Sequence, residues 1–221
     1  MNWNTIDFYP VMGEQLTAEN TIKLDFSPKN EDLEKVDLTQ TAHFTDFVFS
    51  QLSSAQKQFG FGGYLEHRAI YRRSEVFATP LADFRNIHLG IDLWCEAGTP
   101  VFCPFDGVIH SFQDNAGFGN YGPTIIVQHK LGERTLFSLY GHLFRSDLST
   151  LQVGQQINRG DRLCHVGPYP ENGDWPPHLH FQLIWDLNGN WGDFPGVASQ
   201  REVKTYAELC PDPNLMLRFN H

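Results

Sequence analysis

Basic residues, sulfur and long apolar runs are all scarce in this chain of 221 residues. Sixteen Lys+Arg stand against 26 Asp+Glu, a formal charge of −10. Such an acidic balance argues against non-specific binding to nucleic acid or to an anionic membrane surface, so neither is expected as a partner. No apolar run is long enough to span a bilayer. The four cysteines, Cys95, Cys103, Cys164 and Cys210, form no C-x-x-C pair and are expected as reduced thiols packed like small hydrophobes, with a Cys95–Cys103 disulfide disfavoured. The first thirty residues lack a basic n-region followed by an apolar core: Asp7 comes early, and Ile6, Phe8 and Val11 are scattered. The expectation is therefore a cytoplasmic protein, or a periplasmic or extracellular one if the chain is a trimmed piece. There is no internal repeat and no low-complexity tract.

What is present points to a globular, turn-rich chain. Hydrophobic residues make up 41% and aromatics 14%, with Phe alone occurring 18 times, which excludes a disordered acidic tail. Nineteen Gly and thirteen Pro favour short strands over long helices. The length suits one domain plus an extension, and a monomer is expected.

Two regions follow from the hydrophobic period. In residues 1–63, Phe44, Phe47, Val48, Leu52 and Ala55 recur at helical spacing, which predicts an amphipathic helix over Thr41–Lys57 that stops at Gly60. Ser27–Asp37 reads as polar surface loop, and Phe59–Gly63 as a junction. Over residues 64–221 the period becomes two. The expected strands are Val101–Cys103, Gly107–Phe112, Thr124–His129, Thr135–His142, Arg162–Val166 and His178–Ile184, separated by Gly-containing turns. This pattern predicts antiparallel hairpins rather than βαβ units, a mainly β domain with an N-terminal helical extension. The helix is expected to cover a sheet edge or part of a cleft.

Three segments concentrate the chemistry. Alternate residues of a strand share a face. In Ile87–Leu93, His88, Gly90 and Asp92 lie opposite Leu89, Ile91 and Leu93, and Gly90 leaves room for an ion. In His178–Leu183, His178, His180 and Gln182 lie opposite Leu179, Phe181 and Leu183. In Phe137–Leu143, Ser138, Tyr140 and His142 lie opposite Phe137, Leu139 and Leu143. If these strands are neighbours, four imidazoles and one carboxylate converge. Two histidines and a carboxylate satisfy a catalytic zinc site, which uses three protein ligands, and two histidines remain for proton transfer.

These segments resemble the lysostaphin/LytM-type zinc endopeptidases, a family of peptidoglycan hydrolases. The hallmarks are H-x-x-x-D, an intervening histidine and H-x-H, present as His88–Asp92, Tyr140-Gly-His142 and His178-Leu-His180. Supporting stretches follow in the family's order: Gly98-Thr-Pro-Val101, Pro104-Phe-Asp-Gly-Val108, Val153-Gly-Gln155 and Arg159-Gly-Asp161. The resemblance covers about Tyr71 to Trp185. It implies an antiparallel β-sheet with barrel-sandwich character, Zn2+ held by His88, Asp92 and His180, and His142 and His178 as the non-ligand catalytic pair. It further implies hydrolysis of peptide bonds in peptidoglycan cross-links or a related peptide. Two departures stand out. Gly167–Pro177 replaces a short small-residue turn, bringing Tyr169 and Trp175, and Gly122-Pro-Thr124 extends the hairpin at Asn120-Tyr121. Asn120, Tyr121, Tyr140 and Trp175 are expected to line the substrate groove. The alternatives are a non-catalytic relative that keeps the fold as a binding or activator module, and a cupin-like metal protein; Phe181–Leu187 offers no glutamate for the latter. His110, His129, His165, His43, His67 and His221 have no ligand-spaced partner and read as ordinary.

Overall fold

The computed structural model describes residues 3–78 and 84–219, so His221 lies outside the described residues. The strands and helices run β1 (Thr21–Lys23), α1 (Thr41–Ala55), β2 (Phe59–Gly62), β3 (Ile87–His88), β4 (Ile91–Trp94), β5 (Pro100–Phe102), β6 (Gly107–Asn115), β7 (Gly122–Leu131), β8 (Arg134–Gly141), β9 (Gln156–Ile157), β10 (Arg162–His165), β11 (His178–Ile184), β12 (Val197–Ala198), α2 (Val203–Leu209) and α3 (Asn214–Leu217). Eight strands form one open sheet in the order β1-β2-β4-β11-β8-β7-β6-β9, and β5/β10 and β3/β12 form two short pairs. The β1–β2 pair is parallel and the other ladders are antiparallel, so the fold is mainly β with a mixed sheet. The open sheet also lacks the closed double-sheet form of a cupin.

β11 explains the architecture. Pro176 and Pro177 cannot donate to a ladder, so the strand starts at His178. All seven of its residues are buried. It lies between β4 and β8, with His180 opposite Asp92 on one side and Gly141 on the other. Its apolar face, Leu179, Phe181 and Leu183, joins Ile91, Leu93 and Tyr140 in the principal core, which also takes Phe8, Val11, Met12 and Leu16 from the start of the chain. The histidine face is covered at one end by a second cluster in which Phe26, Phe44, Val48 and Leu52 pack with Trp94 and Trp175.

α1 buries Thr41, Phe44, Val48 and Leu52, and its C-cap is Gln56 in the left-handed conformation (φ 54°). The stop is therefore Gln56, four residues before the expected Gly60. Gly60 instead lies in β2, where a Cβ would meet the Leu24 and Leu52 side chains at 2.6 and 3.0 Å. The stretch read as a junction is this strand, paired with β1 and β4. The covered face belongs to α1, and the sheet edge is extended by β1 and β2. Within the polar stretch 27–37, Leu33 is buried in the second cluster. All four cysteines are free and buried.

Candidate metal centre and catalytic groove

Asp92 and His180 meet because the β4–β11 register sets them directly opposite. His88 arrives differently. The expected single strand Ile87–Leu93 is broken: β3 pairs with β12, whereas β4 pairs with β2 and β11. The break falls at Leu89–Gly90. A Cβ at Gly90 would lie 2.7 Å from Cε1 and Nε2 of His180 and 2.8 Å from the Phe181 carbonyl. The space at Gly90 is thus filled by the His180 ring rather than left for an ion.

The donor atoms form a tight triangle. His88 Nε2 is 3.2 Å from Asp92 Oδ1, His180 Nδ1 is 3.0 Å from the same oxygen, and the two nitrogens are 3.0 Å apart. All three residues are buried. Whether they fit a cation depends on where the protons lie. His88 Nδ1 faces the Gly63 carbonyl at 3.2 Å, so it donates and Nε2 holds a lone pair. The Gln182 amide donates to the Pro195 carbonyl at 3.1 Å, which turns its Oε1 toward His180 Nε2 at 2.9 Å. His180 therefore donates from Nε2, and its Nδ1 lone pair enters the triangle. Asp92 is ionised: burial pushes its carboxyl up, but His88 and Arg68 outweigh this and hold it well below the ordinary range. Three lone pairs face one another with no proton between them, an arrangement that a divalent cation satisfies. The edges are close to the ~3.3 Å that tetrahedral zinc at ~2.0–2.1 Å sets between its donors.

Arg68 completes the support. It is 1% exposed; Nη1 donates to Asp92 Oδ2 and Nε to Glu66 at 2.8 Å, leaving Oδ1 for the triangle. No sequence pattern singles out Arg68, Gly63 or Gln182 for these roles. Gln182 was visible on the histidine face of its strand. Gly63 acts through its backbone and has no side-chain signal.

His142 and His178 flank the triangle. Their rings are 4.1 Å apart, and His178 Nε2 is 4.0 Å from Asp92 Oδ1. His178 stacks on Trp94 at 4.0 Å and 20°. Each gives its Nδ1 proton to a backbone carbonyl: His142 to Asn172 at 2.7 Å, His178 to Pro176 at 2.8 Å. Both Nε2 atoms are thus proton acceptors. Burial pushes the His178 pKa down to about 4 and that of His142 well below its ordinary value, so both are neutral near pH 7.

A groove of about 310 Å³ opens onto Asp92, His142, His178 and His180. Asn120, Tyr121 and Trp175 line it as expected from the sequence, and the Tyr121 hydroxyl is 3.3 Å from His180 Nε2. Tyr140 does not. It lies opposite Phe181 in the ladder and is fully buried in the core, accepting a hydrogen bond from Ser138 at 3.1 Å. The face expected for β8 is therefore inverted: Ser138 and Tyr140 point inward. His142 escapes because it follows the strand in a left-handed conformation (φ 64°), which turns it to the groove. Of the remaining histidines, His129 is buried against Ser138 at 2.7 Å and His165 pairs with Asp147 at 3.1 Å, away from the triangle.

The chain is similar to several known proteins over part of its length. The chain is 33% identical over 97 residues to the peptidoglycan DD-endopeptidase ShyA of Vibrio cholerae, covering 44% of this chain and 20% of ShyA. The chain thus spans about a fifth of that curated relative. Among solved structures, a zinc-containing peptidase from Vibrio cholerae is 23% identical with TM-score 0.37, covering 48% of this chain and 29% of that one. The lysostaphin catalytic domain from Staphylococcus simulans is 20% identical with TM-score 0.40, covering 71% and 96%. The description peptidase family M23 matches residues 86–192, just under half of the chain, a span that holds His88, Asp92, His142, His178 and His180. Residues 86–192 are thus similar to peptidase family M23.

Proposed function

We propose that the chain is a zinc-dependent endopeptidase that hydrolyses peptide bonds in peptidoglycan cross-links. The observation that carries the reading is the set of three unprotonated donors, His88 Nε2, Asp92 Oδ1 and His180 Nδ1, beside two imidazoles whose Nε2 atoms are free to accept protons. His88, Asp92 and His180 would hold the metal. When bound there, zinc polarises a carbonyl and acidifies a water. His142 and His178 supply the proton handling: one Nε2 takes the proton of the attacking water, and a protonated imidazole returns it to the leaving amine. Their neutral ground state suits the first step. Asn120, Tyr121 and Trp175 would hold the peptide along the groove. ShyA, named for DD-endopeptidase action on peptidoglycan, supports the substrate class.

The test is incubation of the chain with purified peptidoglycan and with defined cross-linked peptides, with and without a chelator, alongside a measurement of bound zinc. Chelator-sensitive release of peptides is expected. Zinc binding without cleavage of either substrate would favour the binding or activator module, and absence of both would remove the metallopeptidase reading.

A further inference from the structure

The metal donors are carried by strands, but the acceptors that orient His142 and His178 are carbonyls of Asn172 and Pro176 in the loop 167–177. Asn172 is fully buried and staples this loop internally: its Nδ2 donates to the Gly167 and Trp175 carbonyls at 3.2 and 2.9 Å, and its Oδ1 accepts from Trp175 N at 3.2 Å. Such a staple shapes the loop without anchoring it to the helical layer. Midway between the two carbonyls lies Asp174, in the left-handed conformation at φ 67° that aspartate adopts more readily than most non-glycine residues.

Backbone bonds from Asp174 N to the Pro170 carbonyl at 3.2 Å and from Gly119 N to the Gly173 carbonyl at 2.9 Å help to hold the loop, and the side chain that grips it from the helical layer is Arg73. It is 7% exposed, and its Nη2 donates to the Asp174 carbonyl at 3.1 Å and to Thr41 Oγ1 at 2.8 Å. Thr41, the first residue of α1, itself donates to the Asp174 carbonyl at 2.9 Å. The guanidinium lies 4.7 Å from the Trp175 ring centre and 4.6 Å from that of Phe118. Its Nε and Nη1 have no hydrogen-bond acceptor among the described residues, so the rings take the place of polar partners on that side. One side chain thus joins α1, the loop and the hairpin tip that carries Asn120 and Tyr121.

We infer that Arg73 is a positioning residue for proton transfer: it grips the loop at Asp174 and so holds the Asn172 and Pro176 carbonyls that aim the Nε2 atoms of His142 and His178 into the groove. The inference rests on the proposed role of those two histidines. Arg73 lies outside residues 86–192, touches none of the metal donors, and acts two residues to either side of its grip.

The test uses the zinc-loaded full chain with 15N-labelled histidine. In Arg73→Met the imidazole Nδ1–H signals of His142 and His178 should exchange about tenfold to a hundredfold faster, the consequence of losing a charged hydrogen bond. The N–H signals of His88 and His180, and the bound zinc, should be unchanged. Turnover of a cross-linked peptide should fall by a similar factor through kcat with little change in KM, and Arg73→Lys should recover part of it. Should Arg73→Met not fold, Thr41→Val removes one of the two donors to Asp174 and should weaken the same two signals. Unchanged signals in folded Arg73→Met, equal loss of all four, or no effect in Thr41→Val would each overturn the inference. Inactive peptides with the expected exchange pattern would count against the proposed activity and leave the positioning role standing.

Discussion

The two halves of the site are built by different means. Asp92 and His180 owe their meeting to ladder register, and every backbone hydrogen bond of β4 and β11 helps to maintain it. His142 follows the end of its strand in a left-handed conformation and takes its orientation from a loop carbonyl thirty residues away. A ladder sets side chains by alternation alone. A loop sets them only as well as its own anchors hold. Metal binding and proton transfer should therefore fail separately, and the variants below test that separation.

The largest effect is expected at Asp92. Asp92→Ala should abolish zinc binding and activity, as should His88→Ala and His180→Ala. Asp92→Ala should also cost about 3–5 kcal/mol in stability, because Arg68 is left buried without its main partner. Metal analysis and urea unfolding read the two losses, and zinc retained by any of the three variants would break the ligand assignment. His142→Ala and His178→Ala should keep zinc while turnover falls about 10²–10⁴-fold. Loss of zinc in these two would erase the distinction between the halves.

Gln182→Leu should weaken zinc binding about 10–100-fold, measured by chelator competition, because His180 loses the acceptor that holds its proton at Nε2. A further test turns on pH. Burial pushes His88 down to about 3 and His178 to about 4, below the ordinary value near 6.5. The unfolded chain therefore binds more protons in this window. Stability of the metal-free chain is fully present above pH ~6.5 and is lost as pH falls toward 4, by up to about 1.4 kcal/mol per pH unit for each histidine. Urea midpoints at pH 7, 6 and 5 should show this slope, and His178→Gln should flatten it.

Much of the site was legible from alternation. The β11 strand runs over the expected His178–Ile184, and its register with β4 unites residues nearly ninety positions apart. Alternation misled in β8, where it assigned Tyr140 to the groove; a polar residue buried in a core network and one facing a groove share the same period. It also missed β1, β2, β9 and β12, of two to four residues each, too short to show a pattern. Asn172, Pro176 and Gly63 act through main-chain oxygens, which every residue has, so side-chain identity does not mark them. Arg68 and Arg73 belong to no motif or period in the sequence. Their burial follows from partners far away in the chain, Asp92 for one and Asp174 with two aromatic rings for the other.

The β2–β4 pairing has a practical consequence for anyone who would transplant this catalytic unit. Cut to residues 86–192 alone, a graft would lose the oxygen that orients His88 and the guanidinium beside Asp92, both supplied from residues 63–68. The smallest portable version therefore begins upstream at β2, and swaps among relatives are best spliced before that strand.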